Sequence, residues 1–116
     1  MLVEDHVIFR NALALLLGRE PDLEVVAQAG SLAEAREALD GRFDVAVVDL
    51  GLPDGDGSEL IGELRRSSPG ISLLVLSATI MPGDVDDVRR AGAAAVLTKV
   101  EAPLSIVEEV RRLAGG

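Results

Sequence analysis

The chain has 116 residues, 20 Asp and Glu against 11 Lys and Arg, a formal charge of -9 at pH 7 and a pI near 4.4. That length suits one domain able to bury about 65% of its unfolded surface, and 48% hydrophobic residues with a mean hydropathy of +0.32 exclude disorder. The absence of cysteine removes thiolate catalysis, Cys-ligated zinc, iron–sulfur clusters and disulfides, while the acidic balance argues against a nucleic-acid surface within these residues. The two aromatics, Phe9 and Phe43, are too few for a base-stacking platform. No apolar run reaches membrane-spanning length, and Met1 to Glu4 is not a signal peptide. The expectation is a soluble, compact, cytoplasmic domain.

In chain order, Met1-Leu2-Val3 reads as the stub of a strand, and Phe9, Leu13, Leu16 and Leu17 repeat at helical spacing up to Gly18. Leu23 to Ala29 reads as a second strand. Ser31 followed by Glu34 is a capping-box start for a helix to about Leu39, stopped by Gly41. Val45 to Val48 is a strand apolar on both faces, and Ser58 is placed as the cap of a third helix with Leu60, Ile61 and Leu64 inward. Ile71 to Leu76 repeats the two-faced pattern. Pro82 suits the first turn of a fourth helix closed by Gly92, and Ala95 to Leu97 is a fifth strand. Pro103 opens a fifth helix, predicted to turn Leu104, Val107, Val110 and Ala114 inward, and Gly115-Gly116 reads as a linker start or a frayed end. Five β-α repeats in strict alternation predict a parallel sheet with right-handed crossovers and helices on both faces.

In such a sheet, ligands bind beyond the carboxyl ends of the strands, where strand order reverses. Glu4-Asp5 ends the first strand, Asp49 the third, Ser77-Ala78 the fourth and Thr98-Lys99 the fifth. Three converging carboxylates repel one another, and a hard divalent cation relieves that repulsion; Mg²⁺ takes oxygen ligands and keeps several waters. Asp49, the one acid ending a central apolar strand, is positioned as a nucleophile or a direct ligand. A carboxylate attacking phosphorus gives an aspartyl phosphate, with Lys99 and the Ser77 hydroxyl placed to meet its oxygens.

The ordered set Glu4-Asp5, Asp49 with Leu52-Pro53 and Asp56-Gly57, Ser77-Ala78, Ala91-Gly92-Ala93 and Lys99 resembles the receiver domain of bacterial two-component response regulators. The resemblance covers residues 1–116. Glu4-Asp5-His6 followed by Phe9-Arg10 and Leu13 is similar to the subfamily whose receivers precede a LuxR-type helix-turn-helix. The resemblance implies a flavodoxin-like (βα)5 fold and Asp49 as acceptor of a phosphoryl group from a sensor histidine kinase. It also implies Mg²⁺ held by Asp5, Asp49 and the Gly51 backbone carbonyl, with Glu4 acting through a water, and Ser77 and Lys99 on the phosphoryl oxygens. By the same resemblance, the chain phosphorylates and dephosphorylates itself without being an enzyme, and can pair with a second copy once phosphorylated. It reaches DNA only through an output domain beyond these residues and has no membrane partner.

Four features depart from the family pattern. Val96 stands where the family has a switch aromatic, which removes that lever, and Val100 stands where many receivers have a proline after the lysine. The first strand is shorter than the usual five or six residues, so it is expected to be cut short, either because upstream residues are absent or because the start is misassigned. Gly51 and Thr79 occupy the positions that tune attack by water on the phosphoryl group, and glycine offers no side chain there. Little assistance to hydrolysis is therefore expected.

Other readings compete. Glu4 and Asp5 taken alone are ordinary acids at a helix N-terminus, and His6 suits helix entry better than metal binding. Asp54-Gly55-Asp56-Gly57 invites a calcium loop, but that register puts Leu52 at the first ligand position and fails. The alternative functions are a degenerate receiver serving as an interaction module, and a metal-dependent phosphatase or phosphotransferase acting through Asp49. The latter generally carries a second acid two residues after its nucleophile, where this chain has Gly51.

Overall fold

The computed structural model describes residues 1–78, 83–100 and 103–115. Five parallel strands, β1 (Leu2–Val3), β2 (Gln28–Ala29), β3 (Val45–Asp49), β4 (Ser72–Ser77) and β5 (Ala95–Thr98), form one sheet in the order β2-β1-β3-β4-β5. The helices are α1 (Val7–Gly18), α2 (Leu32–Glu37), α3 (Ser58–Ser67), α4 (Asp84–Ala91) and α5 (Pro103–Gly115). This is the predicted alternation, with strand order reversing between β1 and β3.

Register divides the strands row by row between two cores. Leu2, Val47, Leu74 and Ala95 stand in line across the sheet and pack with Leu13, Leu17, Ile106, Val107 and Val110 of α1 and α5. The next row, Ala29, Val3, Val48, Val75 and Val96, faces the opposite layer, with Leu32, Ala35, Leu60, Ile61, Leu64 and Val88. Strands covered on both faces need apolar residues at every position, which is why they carry no polar alternation.

Several boundaries differ from the sequence expectation. Of Leu23 to Ala29, only Gln28–Ala29 forms a ladder, because β1 offers two residues to pair with. The second helix ends at Glu37 rather than near Leu39. Its start is as expected at Ser31, whose hydroxyl accepts the Glu34 N–H at 3.1 Å, while the Glu34 carboxylate accepts from Gly30 N at 2.7 Å. Ser58 does not cap the third helix: it is the first helical residue, and its N–H donates to the Asp56 carboxylate at 2.9 Å. On α5, Leu104 and Ala114 are exposed, and Ile106, Val107 and Val110 make the buried stripe. Pro82 and Gly116 lie outside the described residues.

The segment after Asp49 folds into a small antiparallel hairpin, Gly51–Leu52 against Gly55–Asp56. Asp54, at its tip, accepts hydrogen bonds from Leu32 N at 2.8 Å and Ala33 N at 3.0 Å. The two acids of the rejected calcium loop thus accept from the first amides of helices, Asp54 from α2 and Asp56 from α3. These bonds to the α2 amides hold the Asp54 carboxyl below the usual carboxylate range. Asp54→Ala is expected to speed hydrogen exchange at the Leu32 and Ala33 amides, read by NMR. Unchanged exchange would show that the cap contributes nothing.

Candidate functional site

The register that pairs Val3 with Val48 brings the next residues, Glu4 and Asp49, side by side at the carboxyl ends of β1 and β3. Consecutive residues on a strand end point opposite ways, and the two acids after β1 part accordingly: Glu4 is fully buried and Asp5 exposed. Asp49 is buried as well. Lys99, just past β5, reaches back so that its Nζ lies 2.6 Å from Glu4 Oε1 and 3.2 Å from Asp49 Oδ2. The contact with Asp49 is a hydrogen bond; that with Glu4 is a close ion pair outside hydrogen-bond geometry. Asp49 Oδ1 accepts from Gly51 N at 3.0 Å, and Glu4 Oε2 from His6 N at 3.2 Å.

Asp5, Asp49, Gly51, Ser77 and Lys99 line one open cleft of 910 Å³, with Glu4 behind it. The predicted residues therefore converge, with two exceptions. Thr79 lies outside the described residues, and Val96 is half-buried against the opposite core layer, away from the cleft. Ser77 is half-buried at the end of β4, and its carbonyl accepts the Lys99 N–H at 2.8 Å.

Three contributions were not legible as parts of a site. The Phe9 ring lies under Lys99, 5.3 Å from its Nζ to the centroid. The Arg10 guanidinium donates to the Glu4 carbonyl at 2.8 Å, bracing the acid turn from the first turn of α1. Gly57 sits against Asp49 so closely that a Cβ there would lie 2.1 Å from the Asp49 carbonyl oxygen. The glycine after Asp56 was the visible signal for the last; Phe9 and Arg10 carried the subfamily resemblance but nothing in it tied them to the site.

Crowding sets the protonation of the acids. Burial, together with the adjacent Asp49 carboxylate, pushes Glu4 up to about 7, against the opposing pull of Lys99 and the His6 N–H. For Asp5, slight desolvation is outweighed by the neighbouring Glu4 and Asp49 carboxyls, of which Glu4 takes the proton first, and by the Lys99 charge, so its carboxyl stays below the ordinary range. Burial alone would lower Lys99, but its ion pairs with Glu4 and Asp49 raise it. Glu4, Asp5 and Asp49 each offer an oxygen within 4.8 Å of the others. A hard, all-oxygen set with more negative than positive charge fits a divalent cation of the Mg²⁺ or Ca²⁺ class.

The raised Glu4 carries a stability prediction for the cation-free chain. Unfolded, Glu4 titrates near 4.5, and folded near 7. Between these values the folded state binds the extra proton, so rising pH removes stability across that window. The unfolding free energy of the wild type minus that of Glu4→Gln is expected to fall by roughly 2–3 kcal/mol over that range. Urea titrations at several pH values measure it, and a flat difference would refute the assignment.

A doubly wound α/β domain with an acid triad and a lysine at its switch point defines the class to which this chain belongs. The chain is a member of the response regulator receiver domain family, whose model matches residues 1–111. It is 40% identical over 116 residues to the transcriptional regulatory protein UhpA of Salmonella typhimurium, covering 99% of this chain and 58% of that protein. The chain thus spans little more than half the length of the curated relatives it matches. Among solved structures, it is similar to a LuxR-family two-component response regulator from Aurantimonas, with a TM-score of 0.84 and 30% identity over 100% of this chain and 84% of that one. A response regulator from Burkholderia pseudomallei, solved with a phosphorylated aspartic acid, calcium ion and citrate, matches with a TM-score of 0.82 and 27% identity over 96% of this chain and 69% of that one. Among the described residues, no helix is long and apolar enough to cross a membrane.

Proposed function

We propose that this chain accepts a phosphoryl group on Asp49 from the phosphohistidine of a sensor histidine kinase, and so controls a LuxR-type DNA-binding output domain. The observation that carries this reading is Lys99 Nζ bridging Glu4 and Asp49 at the switch point, with Asp5 in the mouth of the same cleft. One Asp49 oxygen forms the new P–O bond while the P–N bond breaks, its electron pair leaving on the imidazole nitrogen. Lys99 is placed to neutralise charge gathering on the equatorial oxygens, and Ser77 at the end of β4 to hydrogen-bond one of them. Asp5, Asp49 and the Gly51 carbonyl would hold Mg²⁺, with Glu4 acting through a water. Bound there, the cation supplies electrostatic neutralisation of the phosphoryl oxygens.

The chain acts as a phosphoryl acceptor, and with no side chain at Gly51 its own hydrolysis of the adduct is slow. The transcriptional role of UhpA supports a DNA-directed output, with pairing of two phosphorylated copies as the step between. The test is incubation with Mg²⁺ and acetyl phosphate, followed by intact mass. A gain of one phosphoryl group, absent with EDTA, is expected. No adduct would leave a phosphorylation-independent interaction module, and multiple turnover of a phosphoester would point to a phosphatase.

A further inference from the structure

Glu4 and Asp49 continue the row that holds Leu76 and Leu97, which places them on the face of the sheet covered by α1 and α5. Phe9, in the first turn of α1, packs against that same layer. The Lys99 ammonium therefore has two carboxylates on one side and the Phe9 ring, 5.3 Å away, on another. Its side chain is only 17% exposed, so these groups rather than water set its position.

We propose that Phe9 is a positioning residue, its ring holding the Lys99 ammonium between Glu4 and Asp49, ready for the phosphoryl group. The inference rests on Asp49 being the phosphoacceptor. An aromatic face attracts a cation through its quadrupole without taking a directed hydrogen bond. The ammonium protons thus stay available for oxygens, and the same support persists when a carboxylate gives way to a phosphoryl group. An aliphatic residue at position 9 would fill the core but release the long, flexible lysine stem from its preset place.

Two measurements on Phe9→Leu and Phe9→Tyr test this. In the metal-free protein, the Lys99 side-chain protons next to Nζ are expected to show an upfield ring-current shift in the wild type and in Phe9→Tyr, lost in Phe9→Leu. With Mg²⁺ and acetyl phosphate, adduct formation is expected to slow roughly 3- to 10-fold in Phe9→Leu, while Phe9→Tyr stays near the wild-type rate. If Phe9→Leu does not fold, Phe9→Met takes its place in both comparisons. The proposal is overturned by an unshifted Lys99 in the wild type, by an aliphatic variant as fast as wild type, or by equal slowing of Phe9→Tyr, which would mark a packing effect. A wild type that forms no adduct would overturn the phosphoacceptor reading itself, while the ring-current shift would still decide where Lys99 sits.

Discussion

Gly57→Ala is expected to destabilise the chain by about 3 kcal/mol or more, toward the upper end of what overpacking a core does. The added Cβ would lie 2.1 Å from the Asp49 carbonyl oxygen and 3.0 Å from Leu50 Cα, both backbone atoms of the strand end that carries the site. Neither can swing aside as a side chain could. The Gly57 N–H also donates to the Leu50 carbonyl at 2.9 Å, so retreat of the loop breaks a hydrogen bond. Backbone dihedrals are not the cause, since Gly57 has φ -59, open to any residue. Gly62, in the same helix α3, is the control. Its added Cβ would meet only the tip of Arg66 at 3.4 Å, and Gly62→Ala is expected to stabilise by about 0.5–1 kcal/mol. Urea denaturation of the two variants measures both effects, and equal outcomes would refute the close-approach argument.

Asp49→Asn is expected to abolish the phosphoryl adduct and with it most of the response to Mg²⁺. In the wild type, Mg²⁺ at about 100 times its Kd should stabilise the fold by roughly 2.7 kcal/mol by mass action. In Asp49→Asn that increment should largely vanish, because one of three clustered carboxylates has become a neutral amide. Without Mg²⁺ the variant should be no less stable than the wild type. The amide oxygen still accepts the Gly51 N–H, and loss of the charge that helps push Glu4 up offsets loss of the Lys99 hydrogen bond to Oδ2. Thermal melts with Mg²⁺ and with EDTA, alongside intact mass, check the pair of effects. A full Mg²⁺ response in Asp49→Asn would remove Asp49 from the cation site.

Much of this was legible before any coordinates, because of how strands are buried. Val45 to Val48 and Leu73 to Leu76 are apolar at every position, which only a strand covered on both faces requires, so the residues that follow them mark one rim of the sheet. Asp49, Ser77 and Lys99 could be assigned to that rim from their place in the chain. Errors gathered where one element leans on another. The second strand shrank to Gln28–Ala29 because its partner β1 is two residues long. Gly57, not Ser58, is the residue before α3, and the hairpin turns the Asp56 carboxylate onto the Ser58 amide. Leu104 has the right hydropathy for the core and still faces outward, at 62% exposed.

The sequence by itself determined the sheet covered on both faces, its alternating helices and the polar residues on its rim. Those follow from local periodicity, and local periodicity is written in the chain. Only the tertiary structure decided that Glu4 is buried and Asp5 open, and that Lys99 bridges Glu4 to Asp49 rather than facing solvent. It alone set Phe9 beneath that lysine and Gly57 against the Asp49 carbonyl. Apart from Gly57, eight positions from Asp49, these are contacts between residues tens of positions apart, set by strand register. A register shift of one residue moves every side chain to the other face of the sheet, so no local pattern encodes which distant groups finally meet.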